Sequence, residues 1–394
     1  MTRDAQVLFD WQVSSFFGWG IYGLNLLQAW ADRSDFLPTS LYPVGNVALD
    51  PLESLRIQPA LDRSLKLQEE LKALPGTAYQ TSAIVLQGMG NDLQRSPVLN
   101  RMWLDGSPTV GVVFMEKTTL VPEATARLKE LPLVIAGSTW NQKLLQDAGA
   151  PRVELVLQGI DTSQFHPAPK RGLFKNRFVV FSGGKLEHRK GQDLVVRAFR
   201  VFAEKHKEAL LLTAWGSPWP ELARNLGVED GMIPPPFLAD GQLNAHGWTR
   251  SNGVPDEQVF HLGPIPNYLM PRIIREADVA LFPNRAEGGT NLVAMECMAS
   301  GVPVILSDNT GHRDLLEDGT AYALRHQANL PLPGTVDWGN SDIDEMVAAL
   351  ETVYNAREAA QARALAGATN ISHLTWTAQM NKLGDLLLPL MPNS

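Results

Sequence analysis

Residues 285–305 carry the sequence RAEGGTNLVAMECMASGVPVI, in which a glycine-rich turn, an apolar helix and a strand follow one another. Either Thr290 or Asn291 is placed to cap the helix, and Gly301 is placed to end it. Glu287 lies just before the predicted helix, where free backbone amides and the helix dipole favour an anionic group. This order of elements predicts one unit of a parallel α/β sheet whose turn faces a ligand.

The same helix carries a carboxylate on an otherwise apolar surface. Glu296 follows Leu292 by four residues, so the two side chains share one helix face. A carboxylate among Leu, Val, Ala and Met side chains needs hydrogen-bond donors, and a ribose diol would supply two. The alternative is that Glu287 only favours the helix start and that Glu296 is partly solvated, with neither side chain touching a ligand.

A second motif lies upstream at residues 182–191, which read SGGKLEHRKG. It follows a predicted strand and precedes a predicted helix. Gly183 and Gly184 permit close approach of a ligand to the backbone, while Lys185 and Lys190 bring two cations to the carboxyl edge of a parallel sheet. Such cations suit phosphate oxygens, although the spacing differs from that of a P-loop. The alternative interpretation is a solvated, charged turn.

Beyond these motifs, short apolar runs alternate with longer amphipathic stretches, a pattern typical of parallel α/β units. In the second half, five strands separated by helices predict a doubly wound sheet. The predicted strands are Ala5–Phe9, Ala83–Leu86, Thr109–Phe114, Leu133–Ala136, Phe178–Phe181, Ala209–Trp215, Val259–Leu262, Asp278–Phe282 and Val302–Leu306. The predicted helices are Gly20–Ala31, Trp140–Ala148, Gly191–His206 and about Asn267–Glu276. Residues 37–75 are rich in Pro and Leu and support no definite assignment.

Composition excludes several classes of protein. The chain has 394 residues, which predicts two or three domains, with 34 Lys and Arg against 42 Asp and Glu. Because neither half is basic, nucleic acid is not expected as a partner. A single cysteine, Cys297, excludes an internal disulfide and a zinc site built on several cysteines. The sequence shows no signal peptide and no apolar run of about 18 residues, so we expect a cytoplasmic protein.

A third glycine motif lies near the N-terminus. Residues 18–23 read GWGIYG and fit G-x-G-x-x-G, with Gly18 and Gly20 as the first pair. Alone this match is weak, because a dinucleotide fold places the first glycine directly after a strand, whereas residues 10–17 intervene here. The motif leaves open a nicotinamide or flavin site, a glycine-rich turn that offers amides to an anionic ligand, and a tight turn without any ligand.

Together these segments resemble the retaining glycosyltransferases of family 4, also called glycosyl transferases group 1. The family motif G-R-L-x-x-x-K-G matches Gly184, Leu186, Lys190 and Gly191, with Lys185 in place of Arg. The motif E-A-M-A-x-G-x-P-V-I matches Glu296, Met298, Ala299, Gly301, Pro303, Val304 and Ile305. Residues 157–167 look like the family's hinge segment, and Gly18-x-Gly20-x-Tyr22 resembles its N-terminal glycine loop.

The resemblance implies a GT-B fold, an α/β architecture of two Rossmann-like, doubly wound domains facing across a cleft. Residues 1–170 would bind the acceptor, and residues 171–371 would bind the donor. A terminal segment at about 372–394, with a helix from about Trp376 to Leu388, would return to the first domain.

The activity implied is transfer of a sugar from a nucleoside diphosphate sugar, most readily a UDP-sugar, to a saccharide or lipid-linked hydroxyl with retention. The implied pathway is polysaccharide or glycoconjugate biosynthesis. No metal or cofactor is expected, no nucleic acid, and at most weak peripheral contact with a membrane. The catalytic residues implied are Lys185, Lys190, Glu287 and Glu116. The donor-binding residues implied are Gly18, Gly20, Gly183, Gly184, Lys185, Lys190, Gly288, Gly289, Thr290, Asn291, Leu292 and Glu296.

The sequence departs from the family pattern in two places, and two alternative functions remain open. Lys185 keeps the charge of the family's Arg but loses its bidentate fork. One more residue separates Glu287 from Glu296 than in the family, which leaves open whether Glu287 still reaches the donor sugar. The alternative functions are an NAD(P)-dependent oxidoreductase built on Gly18–Gly23 and a GT-B sugar-nucleotide binder that catalyses no transfer. Asp342-x-Asp344 fits a metal-binding D-x-D only superficially, and we predict that it starts a helix.

Overall fold

The computed structural model describes residues 5–224, 226–238, 240–330 and 334–391. Residues 1–4 of the predicted first domain and residues 392–394 of the predicted terminal segment lie outside the described residues. The strands are β1 Gln6–Phe9, β2 Leu37–Ser40, β3 Ala78–Gln80, β4 Ile84–Met89, β5 Trp103–Asp105, β6 Thr109–Val113, β7 Val134–Ala136, β8 Val153–Leu155, β9 Phe178–Lys185, β10 Ala209–Gly216, β11 Val259–His261, β12 Val279–Phe282, β13 Val304–Ser307, β14 Tyr322–Leu324, β15 Gln327–Asn329 and β16 Gly339–Ser341. The helices are α1 Gly18–Trp30, α2 Pro51–Ala73, α3 Pro122–Glu130, α4 Thr139–Asp147, α5 Gln192–Lys205, α6 Ala245–Ser251, α7 Met270–Ile274, α8 Leu292–Ala299, α9 Ile343–Asn355, α10 Arg357–Ile371 and α11 Trp376–Leu387.

The first half of the chain forms a parallel sheet of six strands in the order β2-β1-β4-β6-β7-β8. Its central strands are almost wholly buried, as expected for a parallel sheet covered on both faces. The four strands predicted in this half are confirmed as β1, β4, β6 and β7. Because β1 pairs with β2 on one side and β4 on the other, the chain changes direction across the sheet beside β1.

The second half forms another parallel sheet of six strands, in the order β11-β10-β9-β12-β13-β14. All five strands predicted here are confirmed, and β14 is an additional edge strand. Helix α5, predicted at Gly191–His206, packs on this sheet through an apolar stripe that includes Leu194, Phe199 and Phe202, which are fully buried. The first strand, β9, pairs with β10 on one side and with β12 on the other. Open α/β sheets bind ligands at such a switch point.

The chain divides into two compact units. The first contains residues 1–159, 266–268 and 374–394, and the second contains residues 160–265 and 269–373. The division falls after residue 159, within residues 157–167, the segment that resembles the family's hinge. Within the second unit this segment packs closely, since Phe165 is buried and Arg275 donates to the carbonyl oxygen of Gln164 at 2.6 Å. The terminal helix α11 belongs to the first unit, where Met380 O accepts a hydrogen bond from Trp30 Nε1 at 2.8 Å.

Residues 37–75, which the sequence leaves unassigned, form β2 and the long helix α2. Asp50 caps α2 by accepting hydrogen bonds from the backbone amides of Leu52 and Glu53. The pattern hides this helix because Pro59 lies inside it and because Leu52 is 78% exposed, so the apolar positions do not form one stripe.

Two smaller predictions concern the helices. Asp342 caps α9 by accepting from the amide of Glu345 at 2.9 Å, as predicted for the superficial D-x-D motif. The helix expected at about 267–276 is shorter, with α7 limited to Met270–Ile274. In the described part of the chain no helix combines the length and the apolar character needed to cross a membrane.

Candidate functional site

The first part of the candidate site is the carboxyl end of β9. The strand continues through Lys185, so Gly183 and Gly184 lie within it rather than in a turn after it. A Cβ atom at Gly183 would meet Val293 Cγ1 of α8 at 3.0 Å, and Gly184 has φ +122°, which disfavours any other residue. The two glycines therefore let β9 reach the N-terminal turn of α8 and place Lys185 at the edge of the sheet.

A tight turn then carries Lys190 back toward the neighbouring strand. His188–Lys190 form a single 3-10 turn, followed by Gly191 with φ +68°. A Cβ atom at Gly191 would stand 2.4 Å from the carbonyl oxygen of Pro283, which follows β12, so only glycine fits. The glycine of the sequence motif is thus required by the close approach of two loops at the carboxyl edge of the second sheet.

At this edge the cations and glutamates pair. Lys190 Nζ lies 2.6 Å from Glu287 Oε1, and Arg189 Nη1 lies 3.0 Å from Glu287 Oε2. Glu187 bridges Arg189 at 2.5 Å and Lys185 at 2.8 Å. The structure therefore brings together Lys185, Lys190 and Glu287, three of the four residues predicted to be catalytic.

The charge states of this cluster follow from its burial. Burial alone would raise the pKa of Glu287, but the charges of Lys190 and Arg189 outweigh it and bring the pKa to about 2. Burial lowers the pKa of Lys190, and Glu287 opposes that effect. Glu287 is therefore an anion at any physiological pH, held between two cationic side chains.

Backbone contacts fix the turn that carries Glu287. Its amide donates to Thr310 Oγ1 at 2.8 Å, its carbonyl oxygen accepts from the amide of Gly311 at 3.0 Å, and Asn284 Nδ2 donates to its carboxylate. A Cβ atom at Gly311 would overlap the carbonyl oxygen of Gly289. The loop after β13 thus packs tightly on the glycine-rich turn and holds it in one conformation.

The N-terminus of α8 differs from the predicted cap. Asn291 occupies the N-cap position with φ +65°, but its side chain makes no capping hydrogen bond. Instead Asn291 Nδ2 bonds to His312 Nε2 at 2.9 Å. Ser307 Oγ donates to Asn284 O and so accepts from His312 Nδ1 at 2.9 Å, which leaves Nε2 as the acceptor for Asn291.

This buried histidine is neutral. Burial lowers the pKa of His312 to about 4, with Glu287 acting in the opposite direction. Asn291, which lies between the two glutamates, has a left-handed backbone conformation with φ +65°. The backbone amides of Gly289 and Thr290 donate to no residue that the structure describes.

The remaining predicted donor contacts surround this turn. Leu292 begins α8, and Glu296 lies on it with only 3% of its surface exposed. Gly288 lies between Glu287 and the backbone amides of Gly289 and Thr290. Gly301 ends the helix region with φ +71°, as predicted. The donor-binding residues predicted in the second unit therefore lie at the carboxyl edge of the second sheet. Their contacts with a donor stay predictions.

The residues predicted in the first unit form no such cluster. Gly18 opens α1, but Gly20 lies inside the helix, where a Cβ atom would collide with Ser14. Gly23 packs against the Trp11 ring in the same way. These glycines serve close helix packing, so the strand-turn-helix of a dinucleotide site is not formed there. Glu116 is half-buried, and its amide donates to Asn91 Oδ1 at 2.9 Å.

Sequence reasoning missed a buried ion pair beneath the site. Arg285 and Asp193 are 1% and 0% exposed, with a bidentate contact at 2.8 and 2.6 Å. Arg285 also donates to His188 O at 2.7 Å, so it ties the turn of Lys190 to the loop of Glu287. Both residues are adjacent to recognised motifs, but their separation of 92 positions gives no local signal. No cluster of three or more His, Cys, Asp or Glu side chains suited to a metal occurs among the described residues.

Residues 167–362 match the family model described as Glycosyl transferases group 1. The matched segment contains β9, the turn of Lys190, the turn of Glu287 and helix α8. This segment belongs to the glycosyl transferases group 1 family. The ion-pair cluster is thus part of a group 1 glycosyltransferase segment, as the resemblance implies.

Curated relatives align over part of this chain. The D-inositol 3-phosphate glycosyltransferase of Corynebacterium kroppenstedtii is 29% identical over 189 residues, which are 45% of this chain and 38% of that protein. The GDP-mannose-dependent alpha-(1-6)-phosphatidylinositol monomannoside mannosyltransferase of Mycolicibacterium smegmatis is 26% identical over 253 residues, 60% of this chain and 56% of that one. The chain therefore spans between 38% and 56% of the length of these two relatives.

Solved structures share the fold over almost the whole chain. Sucrose-phosphate synthase from Thermosynechococcus elongatus and the HepE protein of Anabaena in complex with UDP and glucose each align with a TM-score of 0.64 at 15% identity. Each alignment covers 98% of this chain and 99% of the other. These likenesses show the fold, and the predicted GT-B architecture is confirmed.

Proposed function

We propose that the protein is a retaining glycosyltransferase that moves a sugar from a nucleoside diphosphate sugar to a hydroxyl group of a saccharide or lipid-linked acceptor. The observation that carries the proposal is the pairing of Lys190 and Arg189 with Glu287 beside the amides of Gly289 and Thr290, which donate to no described residue. These groups lie at the switch point between β9 and β12, where α/β sheets bind ligands.

The cations supply the electrostatic part of catalysis. Lys185, Arg189 and Lys190 face two carboxylates, Glu187 and Glu287, so one positive charge is in excess before a ligand binds. A diphosphate leaving group gains negative charge as the glycosidic bond breaks. Preorganised cations and amides stabilise such a charge most in the transition state. We assign the diphosphate to Lys185, Lys190 and the two amides.

The two glutamates bind different parts of the donor in this proposal. Glu296 is buried on α8 and would hold the ribose diol, whereas Glu287 would contact hydroxyls of the transferred sugar. When the diphosphate engages Lys190, the carboxylate of Glu287 shares its cation with the ligand. Its pKa of about 2 keeps it an acceptor of hydroxyl hydrogen bonds throughout. Glu116 in the first unit is proposed to meet an acceptor or donor hydroxyl.

The relatives support a choice of donors. HepE of the same fold is solved with UDP and glucose, and a mannosyltransferase relative is described as dependent on GDP-mannose. We propose a UDP-sugar, with GDP-mannose as the competing donor. We further propose that transfer needs no metal and serves polysaccharide or glycoconjugate synthesis. The cytoplasmic location and weak peripheral contact with a membrane are proposals that cell fractionation would test.

A thermal-shift series tests donor binding. UDP-glucose, UDP-N-acetylglucosamine, GDP-mannose and ADP-glucose are compared with NADH, for the wild type, Lys190→Met and Lys175→Met as the exposed control. A ligand at about 100 times its Kd stabilises the folded protein by about 2.7 kcal/mol. We expect a shift with one nucleotide sugar, lost in Lys190→Met and kept in Lys175→Met. A shift with NADH alone would overturn the proposal in favour of an oxidoreductase.

Transfer itself is tested with the donor that binds. Release of the nucleoside diphosphate is measured with and without a panel of methyl glycosides and myo-inositol. Proton NMR of the product then reports the anomeric configuration. We expect release that depends on the acceptor and a product with the donor's configuration. Tight donor binding without acceptor-dependent release across the panel would favour a sugar-nucleotide binder instead.

A further inference from the structure

Asp10 occupies the corresponding switch point of the first sheet. It follows β1 directly, and β1 pairs with β2 on one side and with β4 on the other. The amide of Gly88 on β4 donates to Asp10 Oδ1 at 2.7 Å. The carboxyl group therefore stands between the carboxyl ends of β1 and β4, the position at which a doubly wound sheet binds its ligand.

Only one of the two oxygens of the Asp10 carboxyl group accepts a hydrogen bond from a described residue. Asp10 is 9% exposed, and Oδ2 accepts no hydrogen bond from any residue in the described ranges. Burial raises the pKa of Asp10 to about 7, against the opposing effects of the Gly88 amide and Arg95. Buried carboxylates ordinarily have donors on both oxygens. An asparagine would satisfy the Gly88 amide equally well without this penalty, so the structural contact alone does not explain an acid here.

The neighbouring polar groups are committed to other partners. Arg95, the cation that acts on Asp10, lies 2.9 Å from Asp105 and stands over the Trp103 ring at 5.4 Å. Its Nε is buried without a hydrogen-bond partner. Tyr42, whose pKa the charge of Asp10 helps to raise, donates its hydroxyl hydrogen to Pro97 O at 3.0 Å. Thus neither neighbour supplies a donor to Asp10 Oδ2.

The chemistry of this group points to a ligand rich in hydroxyls. A carboxylate oxygen without a donor takes an O–H hydrogen, and such a charge-assisted bond is stronger than a neutral one. The guanidinium of Arg95 offers further donors nearby, and Trp103 is 41% exposed and presents an aromatic surface. A carboxylate oxygen and a guanidinium group together suit the hydroxyls of a sugar ring, and the Trp103 ring lies against the same guanidinium.

We propose that Asp10 binds a hydroxyl group of the acceptor saccharide through Oδ2, at the carboxyl edge of the first sheet. The assignment of this saccharide as the acceptor rests on the proposed glycosyltransferase function. Saccharide binding at Asp10 can be measured without transfer. It is therefore testable even if the donor reaction is wrong.

Binding of named probes tests the proposal. Saturation-transfer NMR at pH 8, with UDP present, compares methyl α-glucoside, methyl α-mannoside, methyl α-galactoside and myo-inositol. The variants are Asp10→Asn, which keeps an acceptor for the Gly88 amide, and Asp147→Asn, an exposed control in the same unit that pairs with Lys143. We expect at least one probe to bind the wild type, at least tenfold weaker binding to Asp10→Asn, and unchanged binding to the control. Retained near-ultraviolet circular dichroism shows that Asp10→Asn is folded.

The outcomes separate this inference from the proposed function. Binding of the probe to Asp10→Asn within twofold of the wild type, or no binding of any probe to the wild type, would overturn the inference. Calorimetric titration of UDP-glucose and GDP-mannose reports on the donor site independently. Failure of every donor to bind, with probe binding that still depends on Asp10, would overturn the proposed transfer reaction alone.

Discussion

The surroundings of Glu287 give the most specific information about how a donor would bind. Two cations, Lys190 and Arg189, hold its carboxylate at 2.6 and 3.0 Å. A neutral side chain at this position would release both cations toward a bound diphosphate. Glu296, in contrast, lies on α8 with only 3% of its surface exposed and is proposed to bind the ribose. The two glutamates should therefore respond differently to the product nucleotide.

We predict that Glu296→Ala weakens the binding of nucleoside diphosphate roughly tenfold to a hundredfold. The variant loses a hydrogen bond that the charged carboxylate accepts, worth roughly 1.5–3 kcal/mol. Glu287→Ala should leave product affinity unchanged or higher and depress turnover, since its sugar partner is absent from the product. Calorimetric titration of both variants with UDP measures the difference, with the exposed Glu317→Ala as control. Equal weakening by the two variants would show that the extra residue in the turn has changed their roles.

Asp10 makes a prediction about stability as a function of pH. Its pKa in the folded protein is about 7, against an ordinary value of 3.8, so folding favours the protonated acid. Stability is therefore lost as the pH rises from about 4 through 7. The loss at pH 8 is at most on the order of 4 kcal/mol, from about 1.36 kcal/mol per pKa unit.

Asp10→Asn removes this loss because the amide is neutral at every pH. We expect the variant to unfold at a higher urea concentration than the wild type at pH 8, and the gain to shrink steadily toward pH 5. Urea unfolding of both proteins at three pH values measures it. A constant difference between the two proteins across that range would contradict a raised pKa at Asp10.

At the scale of single residues, motif spacing predicted what local backbone geometry requires. Lys190 and Gly191 could be recognised because the close approach to Pro283 demands a glycine after the cation. Arg285 and Asp10 could not be recognised in this way. The partners of Arg285 are distant in sequence, and Asp10 ends an apolar strand as many surface acids do, so only burial distinguishes either residue.

At the scale of elements, the pair of Arg285 and Asp193 joins α5 to the loop that follows β12. The bidentate contact at 2.8 and 2.6 Å is almost wholly buried, and Arg285 also donates to Asn340 Oδ1 at 3.0 Å. Removing one partner leaves an uncompensated buried charge, which costs about 3–5 kcal/mol. The loop of Glu287 and the turn of Lys190 depend on this connection.

We predict that Asp193→Asn lowers the free energy of unfolding by about that amount. Glu221→Gln should change it by no more than about 1 kcal/mol, because its pair with Arg224 is exposed. Urea unfolding followed by circular dichroism compares the two variants with the wild type. Similar small effects from both would show that the buried pair does not support the site.

Element prediction succeeded where one face of an element is buried and failed where it is not. Helix α5 has a continuous apolar stripe and was predicted almost to its ends. Helix α2 exposes Leu52 and Leu55 and contains Pro59, so neither periodicity nor propensity identifies it. The strand β9 was predicted too short, because its last residues are glycines and a lysine, whose strand conformation depends on pairing with β10.

At the scale of the whole chain, the two units have sheets of the same kind with different relations to known proteins. Each sheet has six parallel strands, and the first strand of each is an inner strand: β1 pairs with β2 and β4, and β9 pairs with β10 and β12. The family model covers the second unit from residue 167 and does not include the first. Recognition of the family from the sequence therefore depends on the part of the chain that contains the residues proposed to bind the donor. The first unit is proposed to bind the acceptor, and the chemistry of that binding must be inferred from residues such as Asp10.

The charge arrangement in the second unit leads to the last prediction, which concerns metal dependence. Lys185, Arg189 and Lys190 already place three positive charges where the diphosphate is proposed to leave, and backbone amides add further donors. A divalent ion would duplicate this role. We expect full transfer activity in excess EDTA.

The same reasoning applies to the protein's own cations. Lys190→Met should lower kcat by about a hundredfold to a thousandfold, the usual effect of losing one stabilising group in the transition state. Added Mg²⁺ should not restore it, whereas Lys175→Met should behave as the wild type. Initial rates of acceptor-dependent UDP release with EDTA, with Mg²⁺ and with neither distinguish the cases. Loss of wild-type activity in EDTA that Mg²⁺ or Mn²⁺ restores would mean that a metal, and not the lysines, neutralises the leaving group.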